Sequence, residues 1–208
     1  MGNFSDLLIN IPAVLIALTF HEYAHGIVAY RLGDPTPKYQ GRLTLNPIAH
    51  LDPLGTLLLL FANFGWAKPV QVNPLNFQGD RVRGMMIVSL AGPFINILLA
   101  YLGGLFLGLM DRGTIPANLI FWKFGISFIW INLVLAVFNL IPVPPLDGSK
   151  ILAGIVPRST AMSIYRMEQY GPIILMLLII TGVTSMILGP VVSALVRIIF
   201  LATGVSYM

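Results

Sequence analysis

His21, Glu22 and His25 are the residues of this chain whose types and spacing most directly imply chemistry. They form His21-Glu22-Tyr23-Ala24-His25, and on a helix positions i and i+4 share one face, so both imidazoles can point at a single ion. Glu22, beside the first imidazole, can take a proton from a water at that ion. The pentapeptide sits inside an apolar run, LLINIPAVLIALTFHEYAHGIVAYR, at residues 7–31. Ionisable groups inside a membrane segment are functional candidates by default. The expectation is zinc-dependent hydrolysis within a membrane.

A site of this kind usually has three protein ligands and an open position. The chain has no cysteine and three histidines, so the third ligand must come from His50 or a carboxylate. The remaining carboxylates are Asp6, Asp34, Asp52, Asp80, Asp111, Asp147 and Glu168. Asp147 stands out by context. It ends Asn139-Leu140-Ile141-Pro142-Val143-Pro144-Pro145-Leu146-Asp147-Gly148, where prolines stop a spanning helix and an extended backbone can carry the carboxylate back into the bundle. An Asp-Gly pair alone would read as an ordinary turn. His50, in a turn-rich loop of residues 46–55, is the competing donor, or else it lines the cavity or shapes the loop.

The elements that must position these groups are membrane helices. Of 208 residues, 57% are hydrophobic and only 10% charged, with mean hydropathy +0.86; soluble domains are about 25% charged. Runs at 7–31, 85–110, 117–141 and 171–188 meet or approach the roughly 20 apolar residues that a span needs. A fifth run, 190–204, follows Leu188-Gly189-Pro190, so the tail reads as a helical hairpin or one kinked helix. Residues 54–64 are too short to cross and read as re-entrant or interfacial. Alternation in 41–47 and 68–73 reads as two short strands. The fold class expected is an all-α polytopic bundle of about five to six transmembrane helices with a small membrane-embedded β-hairpin or re-entrant segment. One domain spans 1–208, with its catalytic core at about 7–155 and C-terminal helices at 170–204.

The net charge of +4 is distributed as a topology signal rather than a nucleic-acid patch. Residues 31–84 carry six Lys or Arg and 142–170 carry three, while residues 1–6 carry none. Both segments are thus expected on the cytoplasmic side, with His21 and His25 in the cytoplasmic half of the first helix. The N-terminus lacks a basic n-region, so the first helix is expected to stay in place, and the Met-Gly start does not match a myristoylation signal.

HEYAH, the NxxPxPPLDG pattern at 139–148 and Ala91-Gly92-Pro93-Phe94-Ile95-Asn96 together resemble the three signatures of the site-2 protease family of intramembrane zinc metalloproteases, peptidase family M50. Residues 46–55 resemble a further family segment, and the likeness covers about residues 15–155. It implies His21, His25 and Asp147 as ligands of one Zn2+, Glu22 as general base, and 41–47 and 68–73 as embedded β-structure near the substrate path. It also implies a minimal core without PDZ or CBS domain. Asn96, on a spanning helix, is the further catalytic candidate. It donates to a tetrahedral oxyanion or a substrate carbonyl, or else it packs helices, and the likeness favours the cavity. Gly104 and Gly108 read as helix packing, and Trp66, Trp122, Trp130 and Tyr170 fit interfacial or core positions without an assigned role.

The function expected is regulated intramembrane proteolysis: hydrolysis of peptide bonds in or near transmembrane segments of membrane-protein substrates. The expected location is a prokaryotic plasma membrane with the active site towards the cytoplasm. The substrate is a transmembrane protein within the lipid bilayer, and a regulatory membrane partner or a second copy is an open possibility. Nucleic acid is not a partner. A membrane metal transporter is a weaker alternative, because transport gives Glu22 no task. A non-catalytic membrane scaffold is the other, and the intact ligand set argues against it. A prenyl-protein protease would share HExxH but not the context of Asp147.

Overall fold

The computed structural model describes residues 4–55, 57 and 67–206. Helix α1 runs Phe4–Arg31, α2 Arg81–Asp111, α3 Leu119–Asn139, α4 Asp147–Ile155, α5 Arg158–Met167, α6 Gly171–Ile180 and α7 Val183–Thr203. Four helical stretches among the described residues are long and apolar enough to cross a membrane: Ile9–Arg31, Arg81–Asp111, Leu119–Asn139 and Val183–Thr203.

Helix α2 is the centre of the bundle and packs on α1, α3, α4 and α7. It can do so because small residues bring backbones close. A Cβ at Gly104 would collide with Ile199, and one at Gly108 with the Thr203 carbonyl, so this pair seats α7 as packing predicts. Leu107, Ile129, Leu133, Val192, Ile199 and Phe200 form the core between α2, α3 and α7. A smaller cluster of Ala13, Leu99 and Phe128 joins α1 to α2 and α3. The outer faces stay apolar, with Leu98, Leu102, Leu105 and Leu109 exposed along α2, which suits contact with lipid. Asp80 caps α2 by accepting from the N–H groups of Val82 and Arg83, and Asn118 caps α3 through Ile120 and Phe121.

Three expectations are corrected. The tail breaks at Gly182, which adopts φ 76° as no β-carbon-bearing residue readily would, whereas Pro190 lies inside α7. Helix α6 is consequently 10 residues, about 15 Å, too short to span. The expected strands are not found among the described residues: 41–47 turns without a ladder, and 68–73 forms no ladder, its backbone bond to another segment being Lys68 N–H to the His50 carbonyl at 2.9 Å. An isolated antiparallel bridge joins Leu51 to Ala67. Side chains have taken the hydrogen bonds a ladder would use. Val70 N–H donates to Glu22, Asn73 N–H to Asp34, and the Pro69 carbonyl accepts from Arg42. Residues 58–64 of the expected re-entrant segment, and Trp66, lie outside the described residues.

The segment that follows residue 67 is fastened at its far end. Asp34 is fully buried and its carboxylate accepts from Thr36 N–H at 3.1 Å, Thr36 Oγ1 at 2.6 Å, Asn73 N–H at 2.7 Å and Asn76 Nδ2 at 2.8 Å. Burial pushes this carboxyl upward, but the four hydrogen bonds outweigh it and hold the group below its ordinary range. A charged, fully satisfied carboxylate therefore pins residues 73–76 to the end of α1.

Candidate metal centre

The helix at α1 places His21 and His25 one turn apart on one face, with ring centroids 4.6 Å apart and planes at 87°. Both rings are buried and oriented from behind. His25 Nδ1 lies 2.8 Å from the Val88 carbonyl, which can only accept, so Nδ1 carries the hydrogen. His21 Nδ1 lies 2.6 Å from Asn96 Oδ1. Asn96 is oriented by its amide, which donates to the Ala17 carbonyl at 3.1 Å and to Asn132 Oδ1 at 2.8 Å. Asn132 in turn donates to the Phe128 carbonyl at 2.9 Å. In both rings Nδ1 is thus the N–H, and Nε2 presents a lone pair.

Asp147 arrives from the opposite side. After α3 ends at Asn139, the proline-rich turn folds back and α4 opens with Asp147. Gly148 packs on the end of α3 so closely that a Cβ there would strike the Leu140 and Ile141 carbonyls. Asp147 Oδ2 then lies 3.3 Å from His21 Nε2 and 3.1 Å from His25 Nε2.

Three electron-pair donors therefore converge, and Asp147 Oδ2, though buried, has no hydrogen-bond partner among the described residues. Such a cluster is unstable without a cation between the donors. The three atoms lie within 4.8 Å of one another. For zinc bonds of about 2.0–2.1 Å, a tetrahedron has edges of about 3.3 Å, close to the separations found. The residues present fit a zinc ion. Gly92 of α2 closes the far wall: a Cβ at 92 would stand 2.5 Å from His21 Cε1 and 2.6 Å from both Nε2 atoms.

Among the described residues, His21, His25 and Asp147 are the group able to hold a metal, and His50 is not in it. His50 is buried in the 44–50 loop with Nε2 2.8 Å from the Thr44 carbonyl, so it shapes that loop. Glu22 lines the same cavity of about 200 Å³ as the three donors, together with Val70, Ser89, Asn139 and Lys150. Its Oε2 accepts from Val70 N–H at 2.8 Å. Asn96 is brought to the site, but behind His21. Both its amide hydrogens are used within the bundle, so they face neither an oxyanion nor a substrate carbonyl.

Sequence reasoning passed over Gly92 as a wall and Asn132 as a support. A polar residue in mid-span was the available signal for Asn132. Nothing in the sequence marks Val70, whose contribution is a backbone N–H.

The model of peptidase family M50 matches residues 113–182, which include Asp147. Curated relatives extend over the rest. The chain is 44% identical over 185 residues, 87% of its length and 84% of the relative's, to the candidate zinc metalloprotease YwhC of Bacillus subtilis. It is 35% identical to the candidate zinc metalloprotease Rip2 of Mycolicibacterium smegmatis, over 84% of this chain and 67% of that protein. It is 31% identical to the candidate zinc metalloprotease MJ0611 of Methanocaldococcus jannaschii, over 72% and 73%. No solved structure gives a significant match. With its apolar helices, its paired histidines and these relatives, the chain belongs to peptidase family M50, the site-2 protease family of membrane metalloproteases.

Proposed function

We propose that this protein is an intramembrane zinc endopeptidase in which His21, His25 and Asp147 hold Zn2+ and Glu22 is the general base. The observation that carries this reading is the convergence of two Nε2 lone pairs and the unpartnered Asp147 Oδ2 in the cavity that Glu22 lines. A carrier or scaffold would give Glu22 no task there.

Zinc supplies a Lewis acid that polarises a carbonyl and brings the pKa of water down to about 7. The protein's own groups do the rest. Glu22 takes the proton of the attacking water and passes it to the leaving amine. Val70 N–H holds one oxygen of that carboxylate, which leaves the other for the proton. Asn96 acts through His21: it fixes the tautomer that offers Nε2 to the metal. A substrate helix engages its own carbonyls, so the peptide must unwind before attack.

The substrates on this reading are transmembrane proteins, cut in or near their spans. The His pair, Val88 and Asp147 all lie at the bundle end that carries the loops 31–84 and 142–170, where Lys and Arg are concentrated. That distribution supports an active site towards the cytoplasm of a prokaryotic plasma membrane. Residues 1–208 act as one unit, with α6 as a partial and α7 as a full span.

The test is cleavage of a tagged transmembrane substrate in liposomes by wild type and Glu22→Gln at equal zinc content. Loss of at least about 100-fold with zinc retained supports the reading. Equal cleavage by both proteins would sink it.

A further inference from the structure

The cavity holding the candidate ligands continues into a second one. Both are lined by Val72, Met85 and Lys150, and the second adds Arg81, Tyr165 and Glu168 among its walls. Lys150 stands at the junction. It follows Asp147 by three residues on α4, so the two side chains share a face, about 4.5 Å apart along the axis.

Lys150 is half-buried and makes no hydrogen bond or ion pair with a described residue. Its ammonium has three donors to satisfy. The charges around it are arranged by depth. Glu22 and Asp147 lie on the inner side, where Asp147 faces the histidines and Glu22 faces Val70. Arg81 and Glu168 lie on the outer side, and both are exposed to solvent. At the junction, then, the partly desolvated group that lacks a partner is the positive Lys150, while Arg81 and Glu168 further out are of opposite sign.

We propose that Lys150 forms a carboxylate-binding subsite that takes an acidic side chain of the unwound substrate close to the scissile bond. The inference rests on the protease reading. An extended peptide advances about 3.3 Å per residue, so a residue one to three positions from the scissile bond reaches the junction. An Asp or Glu there replaces water around Lys150 with a charge-assisted hydrogen bond. A Lys or Arg there meets like charge, which the partly buried setting screens poorly. The subsite thus selects a charge sign within the membrane-proximal sequence of the substrate, a selection that the metal ligands and Glu22 cannot make.

The experiment uses the full chain in liposomes and one transmembrane substrate bearing Glu, Gln or Lys at each of three positions on either side of the cut. Rates are read as kcat/KM for wild type, Lys150→Gln, Lys150→Glu and Arg81→Glu, with bound zinc measured in each. The expected result is one position where wild type favours Glu over Lys by about tenfold. Lys150→Gln flattens that preference and Lys150→Glu reverses it, while Arg81→Glu, at the exposed outer cavity, changes it less than Lys150→Gln does, all with zinc retained. Cleavage by wild type without charge discrimination at any position overturns the subsite alone. So does an unchanged preference in Lys150→Glu. No cleavage of any substrate by zinc-loaded wild type overturns the protease reading, and the subsite with it.

Discussion

The backbone N–H of Val70 donates to Glu22 Oε2 at 2.8 Å, which ties the candidate general base to a segment 48 residues further along the chain. The same segment is held by Asp34 at Asn73 and by Arg42 at Pro69. Glu22 therefore does not swing freely in the cavity. Val70→Pro removes the N–H that Glu22 accepts from, and it also fixes φ at that point and replaces the valine side chain. Since a hydrogen bond to a charged group contributes about 1.5–3 kcal/mol, cleavage should slow by about tenfold or more while zinc content holds. Unchanged turnover would show that Glu22 needs no such support.

Gly92 is a second sensitive point. Its missing side chain is what lets α2 lie against both imidazoles. Gly92→Ala places a methyl within 2.6 Å of both Nε2 atoms, so the rings must move. Zinc affinity should fall by at least about tenfold, as with other disturbances around metal ligands, and chelator competition measures it. An alanine variant with wild-type affinity would contradict this geometry.

Asn96 and Asn132 should differ in rank. Asn96→Leu strips the acceptor from His21 Nδ1, and the expected loss of zinc affinity is about 10–100-fold. Asn132→Leu leaves that contact in place and leaves Asn96 still donating to the Ala17 carbonyl. Its effect should be several times smaller. If Asn132→Leu equals or exceeds Asn96→Leu, then Asn96 is not the residue that acts on His21.

Asp34 gives a pH-dependent stability. Its folded-state carboxyl titrates below the ordinary value near 3.8, so its contribution is complete above about pH 4 and is lost as pH falls further. In Asp34→Asn an amide N–H faces either Asn73 N–H or the Thr36 donors, at a cost of about 1–3 kcal/mol. Thermal unfolding in detergent should show wild type above the variant at pH 7, with the gap narrowing below pH 4. A gap that stays constant to pH 3 would assign the effect to something other than this titration.

The His21-Glu22-His25 part of the candidate site could be read from residue order because it is local. His21 and His25 share a face whatever surrounds them, since helical periodicity puts i and i+4 together. Asp147 was accessible through the prolines that end α3. The four helices able to span follow from apolar length, which the backbone's need for internal hydrogen bonds in lipid makes a reliable signal. The reading failed where polar side chains outcompeted a periodic pattern. Residues 68–73 alternate like a strand, but Glu22, Asp34 and Arg42 hold groups that a ladder would have paired. Likewise Pro190 is a helix breaker by type, but the turn fell at Gly182, where φ is positive.

Sequence alone determined long apolar helices and two imidazoles on one helical face, because apolar length and helical period settle those points locally, while Asp147 as the third donor was an expectation from its context and the family likeness. Tertiary structure alone decided that Asp147 Oδ2 lies 3.3 and 3.1 Å from the two Nε2 atoms. It also decided that Asn96 stands behind His21, that Gly92 forms the wall and that Lys150 joins two cavities. The reason is physical: each of these is a contact between segments dozens of residues apart, and its distance is set by how closely α2 packs on its neighbours. No local propensity carries that information.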